Sequence, residues 1–323
     1  MSGAWRIFTA ALTLAAAGVP ALRADDVYLG DSLRQLGATR LEAAKGDRAG
    51  SERHGGAGKP TLYAERDRDH VLVEGVKIML SEPVGLLKGR LTVARADYDK
   101  VLVPLFWRQA ERKPVHRILL DPGHGGNDPG KQHAKYNEKT VAFDTAARVK
   151  AALEKQGFEV FLTRSKDASL DLQARPALAA KLAADLFVSI HYNSAGTNDT
   201  TSEGIETYCL TPPGTRSTNV AKGRGAVSSE PGNRFDSRNL QLAWSVQRHL
   251  LATTRAEDRG VRRARFAVLR TLPCPGILIE GGFVSSRREG ALIGTPAYRQ
   301  QVADAVAAGI AEYARSVMPP PSR

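Results

Sequence analysis

Beyond residue 117 the apolar positions of the chain follow two alternating rhythms. Short unbroken runs, at 118–120 (ILL), 159–163 (EVFLT), 186–191 (LFVSIH), 205–210 (IETYCL), 266–269 and 276–280, read as buried strands. Between them apolar residues recur at helical spacing. Ala142, Ala146, Val149 and Leu153 define one helix, capped by Asn137 and stopped at Gly157. Others are expected over about 170–184, 240–251 and 296–317. Strands alternating with helices predict an α/β fold, a mostly parallel sheet covered on both faces, whose site lies beyond the carboxyl ends of the strands. No internal repeat is visible.

Upstream the rhythm is different. An apolar stretch at 7–19, followed by small residues ending at Ala21 or Ala24, predicts a secretory signal peptide over residues 1–24. No later segment reaches the roughly 18 uninterrupted apolar residues of a membrane span, so no transmembrane anchor is expected. No cysteine near the cleavage region offers a site for a lipid anchor. Residues 25–60 include a polar, glycine-rich stretch (GDRAGSERHGGAGKP) and are expected to be a flexible linker. Short apolar runs at 71–73, 76–80 and 89–93, broken by turns, predict a small β-rich module over 61–112. The larger domain then occupies 113–317, with a tail at 318–323.

Composition narrows the partners. The 46 Lys and Arg against 34 Asp and Glu give a net charge of +12, which favours polyanions. Export points to anionic polymers of the cell envelope, and no basic motif with interleaved aromatics marks a nucleic-acid module. One local concentration, from Arg255 to Arg270, is either a solvated face or a binding patch. Two cysteines, Cys209 and Cys274, are too few for a disulfide framework. They either pair with each other or remain separate buried thiols.

The chemistry gathers where predicted strands end. His124 follows ILLDPG, His191 closes LFVSIH and Glu280 closes ILIE, while Glu138 falls in the first turn of the next helix, near the same edge. Singly, each has a structural explanation: a histidine can bond a carbonyl, and a glutamate suits a helix N-terminus. Together, two imidazoles and a carboxylate suit a catalytic zinc with its fourth position open, and the remaining glutamate supplies a general base. Gly123, Gly125 and Gly126 let the backbone turn sharply there. The stretch GGNDPGKQ approaches a phosphate loop, but Gln132 stands where a hydroxyl is needed and Pro129 spoils the entry to a helix. His133 is close enough in sequence to be an alternative ligand, though its polar loop favours exposure. His54, His70, His116 and His249 read as surface or structural residues. Asn193 alternates to the same side as His191 and is a candidate substrate contact.

These segments, ILLDPGHGGNDPG, the glutamate of YNEKTV, DLFVSIHYN and ILIEGGFVSS, resemble the signature segments of the zinc-dependent N-acetylmuramoyl-L-alanine amidases. The likeness runs from about 117 to 314 in the family's order, supported by EVFLTR, the turn at 170–175 and EDRGVRRARFAVLR. The resemblance implies one Zn2+ held by His124, Glu138 and His191, with Glu280 as the catalytic carboxylate. It further implies a central six-stranded sheet and a zinc-bound water attacking the amide between the lactyl group of N-acetylmuramic acid and L-alanine in peptidoglycan. An exported monomer, periplasmic or secreted, with peptidoglycan as its partner and a possible protein activator, is the corresponding expectation. One departure stands out: Gly281 replaces the family's usual threonine after the carboxylate. Residues 211–236 form either a lid or substrate-binding loop or a disordered surface insertion. Two rivals remain, a non-catalytic peptidoglycan-binding or regulatory protein and a zinc hydrolase of another amide; the HExxH helix of a protease is absent.

Overall fold

A computed structural model describes residues 26–41, 50–107, 113–196, 199–220 and 228–318; the expected signal peptide and the terminal tail from residue 319 lie outside them. The front of the chain contributes β1 (Thr39–Arg40), β2 (Ser51–Gly56), β3 (Lys59–Glu65), β4 (His70–Val73) and β5 (Val76–Met79). The larger region supplies β6 (Arg117–Pro122), α1 (Glu138–Glu154), β7 (Glu159–Leu162), α2 (Ala174–Lys181), β8 (Leu186–Asn193) and β9 (Ile205–Leu210). It continues with α3 (Asp236–Thr254), β10 (Asp258–Ala264), β11 (Gly276–Phe283), α4 (Arg287–Ile293) and α5 (Pro296–Ser316).

These eleven strands form one sheet, in the order β7-β6-β8-β11-β9-β10-β5-β4-β3-β2-β1, and the described residues hold a separate three-stranded sheet in the front module and a two-stranded one at 132–137. The first six are the expected central sheet, parallel except where β9 runs against β11. The front module is no separate layer. Its β5 joins β10 in parallel through the pair Val261 and Ile78, and antiparallel hairpins extend the sheet outward from there.

The side-chain period of two in a strand divides the interior into two cores. Ile118, Leu120, Val188, Ile190, Ile277 and Ile279 face the layer of α1, α3 and α5. Their neighbours Leu119, Phe187 and Leu278 face the opposite layer, built from α2 and the turn Ala267–Arg270. Cys209 belongs to the first core and Cys274 to the second, so the sheet separates them and both are free thiols. Burial pushes each thiol up to about 12, which removes their nucleophilicity.

The structure departs from the sequence expectations in four places. The polar stretch taken for linker contains β2 and the start of β3, because backbone pairing at a sheet margin needs no apolar side chains. The strand expected at 266–269 lies earlier, at β10. Its alternation is hidden because Arg263, on the same face as Val261, is buried with its charge met by Asp97, and the half-buried Arg262 on the other face is met by Glu206. The pairing with Asp97 takes Arg263 out of the basic concentration at 255–270, while Arg255 and Arg270 remain exposed. The helix expected from 170 begins only at Ala174, since Arg175 draws the Leu170 carbonyl toward the first strand loop, at 3.4 Å. Finally, Asn137 occupies the cap position of α1 but its side chain makes no capping bond.

Candidate metal centre

The loop after β6 brings His124 to the sheet edge with a backbone φ of 59°, a left-handed conformation uncommon outside glycine. Two buried arginines hold it there. Arg175 donates to the His124 carbonyl at 3.1 Å and to Asp121 at 2.7 Å, while Arg164 donates to the carbonyls of Pro122 at 3.1 Å and Gly123 at 2.9 Å. Asp121 is fully buried inside the sheet and also accepts from Thr163 at 2.6 Å and Ser189 at 2.8 Å. The loop's carbonyls are therefore satisfied by guanidinium groups rather than by a helix or strand.

Glu138, at the first position of α1, turns back under this loop. Its Oε1 lies 3.0 Å from His124 Nε2 and 3.1 Å from His191 Nδ1, and the two imidazole rings meet edge to face at 4.9 Å. Donor atoms from these three residues all fall within 4.8 Å of one another, a grouping able to hold a metal ion. Backbone amides of Lys131 at 2.9 Å and Tyr192 at 3.2 Å fix the Glu138 carboxylate. Asp128 accepts from His124 Nδ1 at 2.8 Å. Because a carboxylate only accepts, that contact places the Nδ1 proton and aims Nε2 inward.

Two glycines make room for this packing. A Cβ at Gly123 would stand 2.3 Å from the His191 ring, and one at Gly130 would stand 2.6 Å from both Glu138 Oε2 and His124 Cδ2. Glycine is required at both by close approach.

Strand register sets the fourth member. His191 on β8 pairs with Glu280 on β11, and Glu280 pairs with Glu206 on β9, so the three side chains form a row across adjacent strands. Glu206 is buried and accepts from Asn193, from Tyr208 at 2.9 Å, from Arg262 at 2.9 Å and from Arg259 at 3.4 Å. Glu280 has no such partners: its Oε2 is sealed from solvent and unbonded. Burial, reinforced by Glu138 and Glu206, holds the Glu280 carboxyl well above the usual carboxylate range. Burial also pushes Glu138 upward, but hydrogen bonds from His124 and His191 overcome it and leave that carboxyl well below the usual range. For His124, burial is outweighed by Glu138 and Asp128, and its pKa rises.

Two cavities of about 470 Å³ each meet at His124, Leu172, His191 and Val268. One is walled by Ser169, Asp171 and Arg175, the other by Asn193, Phe266 and Glu280. Together they make a groove running past the cluster.

Comparison with known proteins decides the family. Residues 118–312 match the family described as N-acetylmuramoyl-L-alanine amidase, a span of more than half the chain. The chain belongs to that family. An uncharacterized cell wall amidase of Bacillus anthracis is 34% identical over 203 residues, which cover 61% of this chain and 35% of the relative. The amidase AmiC of Neisseria meningitidis is 33% identical over 224 residues, covering 62% of this chain and 53% of AmiC. The chain thus spans about half the length, or less, of these curated relatives. Among solved structures, the amidase AmiC2 of Nostoc punctiforme superposes with a TM-score of 0.52 at 32% identity, covering 62% of this chain and 97% of that one.

The amidase-family region thus contains every candidate read from the sequence. His124, Glu138 and His191 come together, Glu280 lies beside them, and Asn193 lines the groove. His133 stacks on Tyr136 at 4.7 Å instead of joining the cluster. His54, His70 and His249 are each satisfied by a nearby carboxylate, at 2.8, 2.9 and 2.7 Å. Sequence reading missed the bracing roles of Arg164 and Arg175, the orienting role of Asp128, and Glu206. Asp128 had a usable signal, an acid four residues after a candidate ligand. The others depend on contacts between distant segments. Of the loop at 211–236, the described part holds only the 3-10 turn Pro231–Phe235; residues 221–227 lie outside the described set. Thr218 in this loop bonds Arg263, and Arg216 reaches Ser81 at 2.6 Å, so this part packs on the front module.

Proposed function

We propose that the chain is an exported zinc amidase that hydrolyses the bond between the lactyl group of N-acetylmuramic acid and the L-alanine of peptidoglycan. The observation that carries this reading is the gathering of His124, Glu138 and His191 within 4.8 Å beside Glu280, in a chain of the amidase family. Two imidazoles and one carboxylate are the three-ligand set of a catalytic zinc site, and the groove leaves a side open to substrate. The residues therefore fit the ion that the family implies. His124, His191 and Glu138 would hold it, and when bound it supplies Lewis acidity, making water a stronger acid and polarising a carbonyl.

The remaining steps fall to the chain's own groups. Glu280 takes the proton of the attacking water and passes it to the departing alanine nitrogen. Its high pKa suits that task, since the protonated form survives long enough to be an acid. Asp128 keeps His124 in one tautomer, while Arg164 and Arg175 keep its loop in place. Asn193, tied to Glu206, presents its side chain to the groove as a substrate contact.

Export rests on the signal peptide read at residues 1–24, and no helix among the described residues is long and apolar enough to cross a membrane. A protein activator is part of the proposal: the CwlD amidase of Clostridioides difficile, 25% identical, was solved in complex with the GerS lipoprotein. A division into a front module, reaching upstream of residue 61 to take in the paired strands Ser51–Gly56 and Lys59–Glu65, and an amidase domain at 113–317 is proposed as well.

Mass spectrometry of purified peptidoglycan incubated with the mature protein tests the function. The expected products are stem peptides with a free alanine amino terminus, lost on chelation and regained with zinc. Cleavage inside the stem peptide would instead make the protein a hydrolase of another amide. Intact wall under all conditions, with a purified activator included, would make it a binding protein.

A further inference from the structure

A cavity of about 660 Å³ shares no lining residue with the metal groove. It opens where the β2–β3 hairpin, the segment ending at Trp107, α3 and α5 converge. Its volume lies within the roughly 300 to 1,000 Å³ typical of small-molecule sites.

Two tryptophans give the cavity its character. Trp107 is 44% exposed and is the one exposed aromatic among the large apolar side chains of the described residues. Trp244 is buried with its indole N–H donated to the Val73 carbonyl, which fixes the ring. Around them stand two cations, Lys59 and Arg248, and two acids, Glu74 and Glu312. Lys59 sits 5.7 Å from the Trp107 ring centre while bonding the Phe106 carbonyl at 2.8 Å, and Arg248 sits 5.1 Å from the Trp244 ring centre while paired with Glu312.

The equal numbers of acids and bases exclude a site built for a polyanion, which would leave the carboxylates repelling it. They suit a neutral ligand rich in hydroxyl and amide groups, able to accept from the cations and donate to the acids. An exposed indole face adds a platform for polarised C–H groups. A pyranose ring carrying an N-acetyl group combines both features. We propose that this cleft is a second subsite for the N-acetylhexosamine backbone of a glycan strand, holding the polymer by its sugars away from the metal groove. The choice of polymer rests on the amidase reading above; the chemical class of ligand rests on the cleft alone.

Calorimetric titration of the zinc-loaded mature protein with chitohexaose, a β-1,4 N-acetylglucosamine oligomer, tests this. Saturable binding is expected, weakened about tenfold or more by Trp107→Ala and less than about threefold by Trp107→Phe, as loss and retention of one aromatic contact require. Thermal melts of both variants check that the fold persists. Chelation of the metal and Glu280→Gln should leave binding unchanged. Absence of binding, equal binding by Trp107→Ala, or loss of binding on chelation would each overturn the proposal. Trp107-dependent binding by a protein that cleaves no peptidoglycan would retain the subsite and remove the amidase reading; cleavage without such binding would do the reverse.

Discussion

Asp97 and Arg263, 166 residues apart, form an ion pair at 2.9 Å in which neither side chain is more than 3% exposed. Asp97 also accepts from the Ser81 backbone and hydroxyl, so one carboxylate joins the front module to the strand β10 at the centre of the sheet. Removing one partner of a buried pair leaves an uncompensated charge, at a cost of about 3 to 5 kcal/mol. Asp97→Ala should therefore lower stability by about that amount in urea unfolding. Deleting residues 26–107 should leave β10 without its β5 neighbour and yield an unfolded or insoluble product, visible by circular dichroism.

The glycine at 123 is a sensitive point, because a methyl group there would press on the His191 ring. Gly123→Ala should weaken metal affinity by at least about tenfold, and Asp128→Ala by about 10 to 100-fold, the usual range when a ligand's orienting partner is lost. Competition against a zinc chelator measures both. Unchanged affinity in Asp128→Ala would remove its orienting role.

Metal binding should stabilise the fold, since the three donors are brought together only in the native state. At a free zinc concentration about 100 times the dissociation constant, the gain is about 2.7 kcal/mol. Calorimetric melts with and without chelator should differ accordingly, and Glu138→Ala should abolish the difference.

Glu280 gives a pH dependence of defined sign. Its folded pKa lies above the unfolded value, so between the two the unfolded chain loses a proton that the folded chain keeps. The contribution of Glu280 to stability is thus full below about pH 4 and falls as pH rises through that interval. Glu280→Gln removes this loss. In the chelated protein it should exceed wild type by about 1 to 3 kcal/mol at pH 7 to 8, the scale for burying a polar group without a partner, with the difference vanishing near pH 4. The same substitution should lower amidase turnover by about 10² to 10⁴-fold.

The sequence by itself determined the central strands and the residues at their ends. Runs such as ILL and LFVSIH declare buried strands because both neighbouring layers demand apolar side chains, and a polar residue ending such a run must face the sheet edge. His124, Glu138, His191 and Glu280 were legible for that reason, each belonging to a short local pattern. Only the tertiary structure decided how far the sheet extends and what holds the site. Arg263 buries its charge because Asp97 meets it across the module junction, Arg164 and Arg175 serve the loop at His124 from 40 or more residues away, and Glu206 reaches Glu280 through strand register. Each of these depends on a partner distant in the chain. Local periodicity records which side chains avoid water; it does not record which charges will be neutralised on burial.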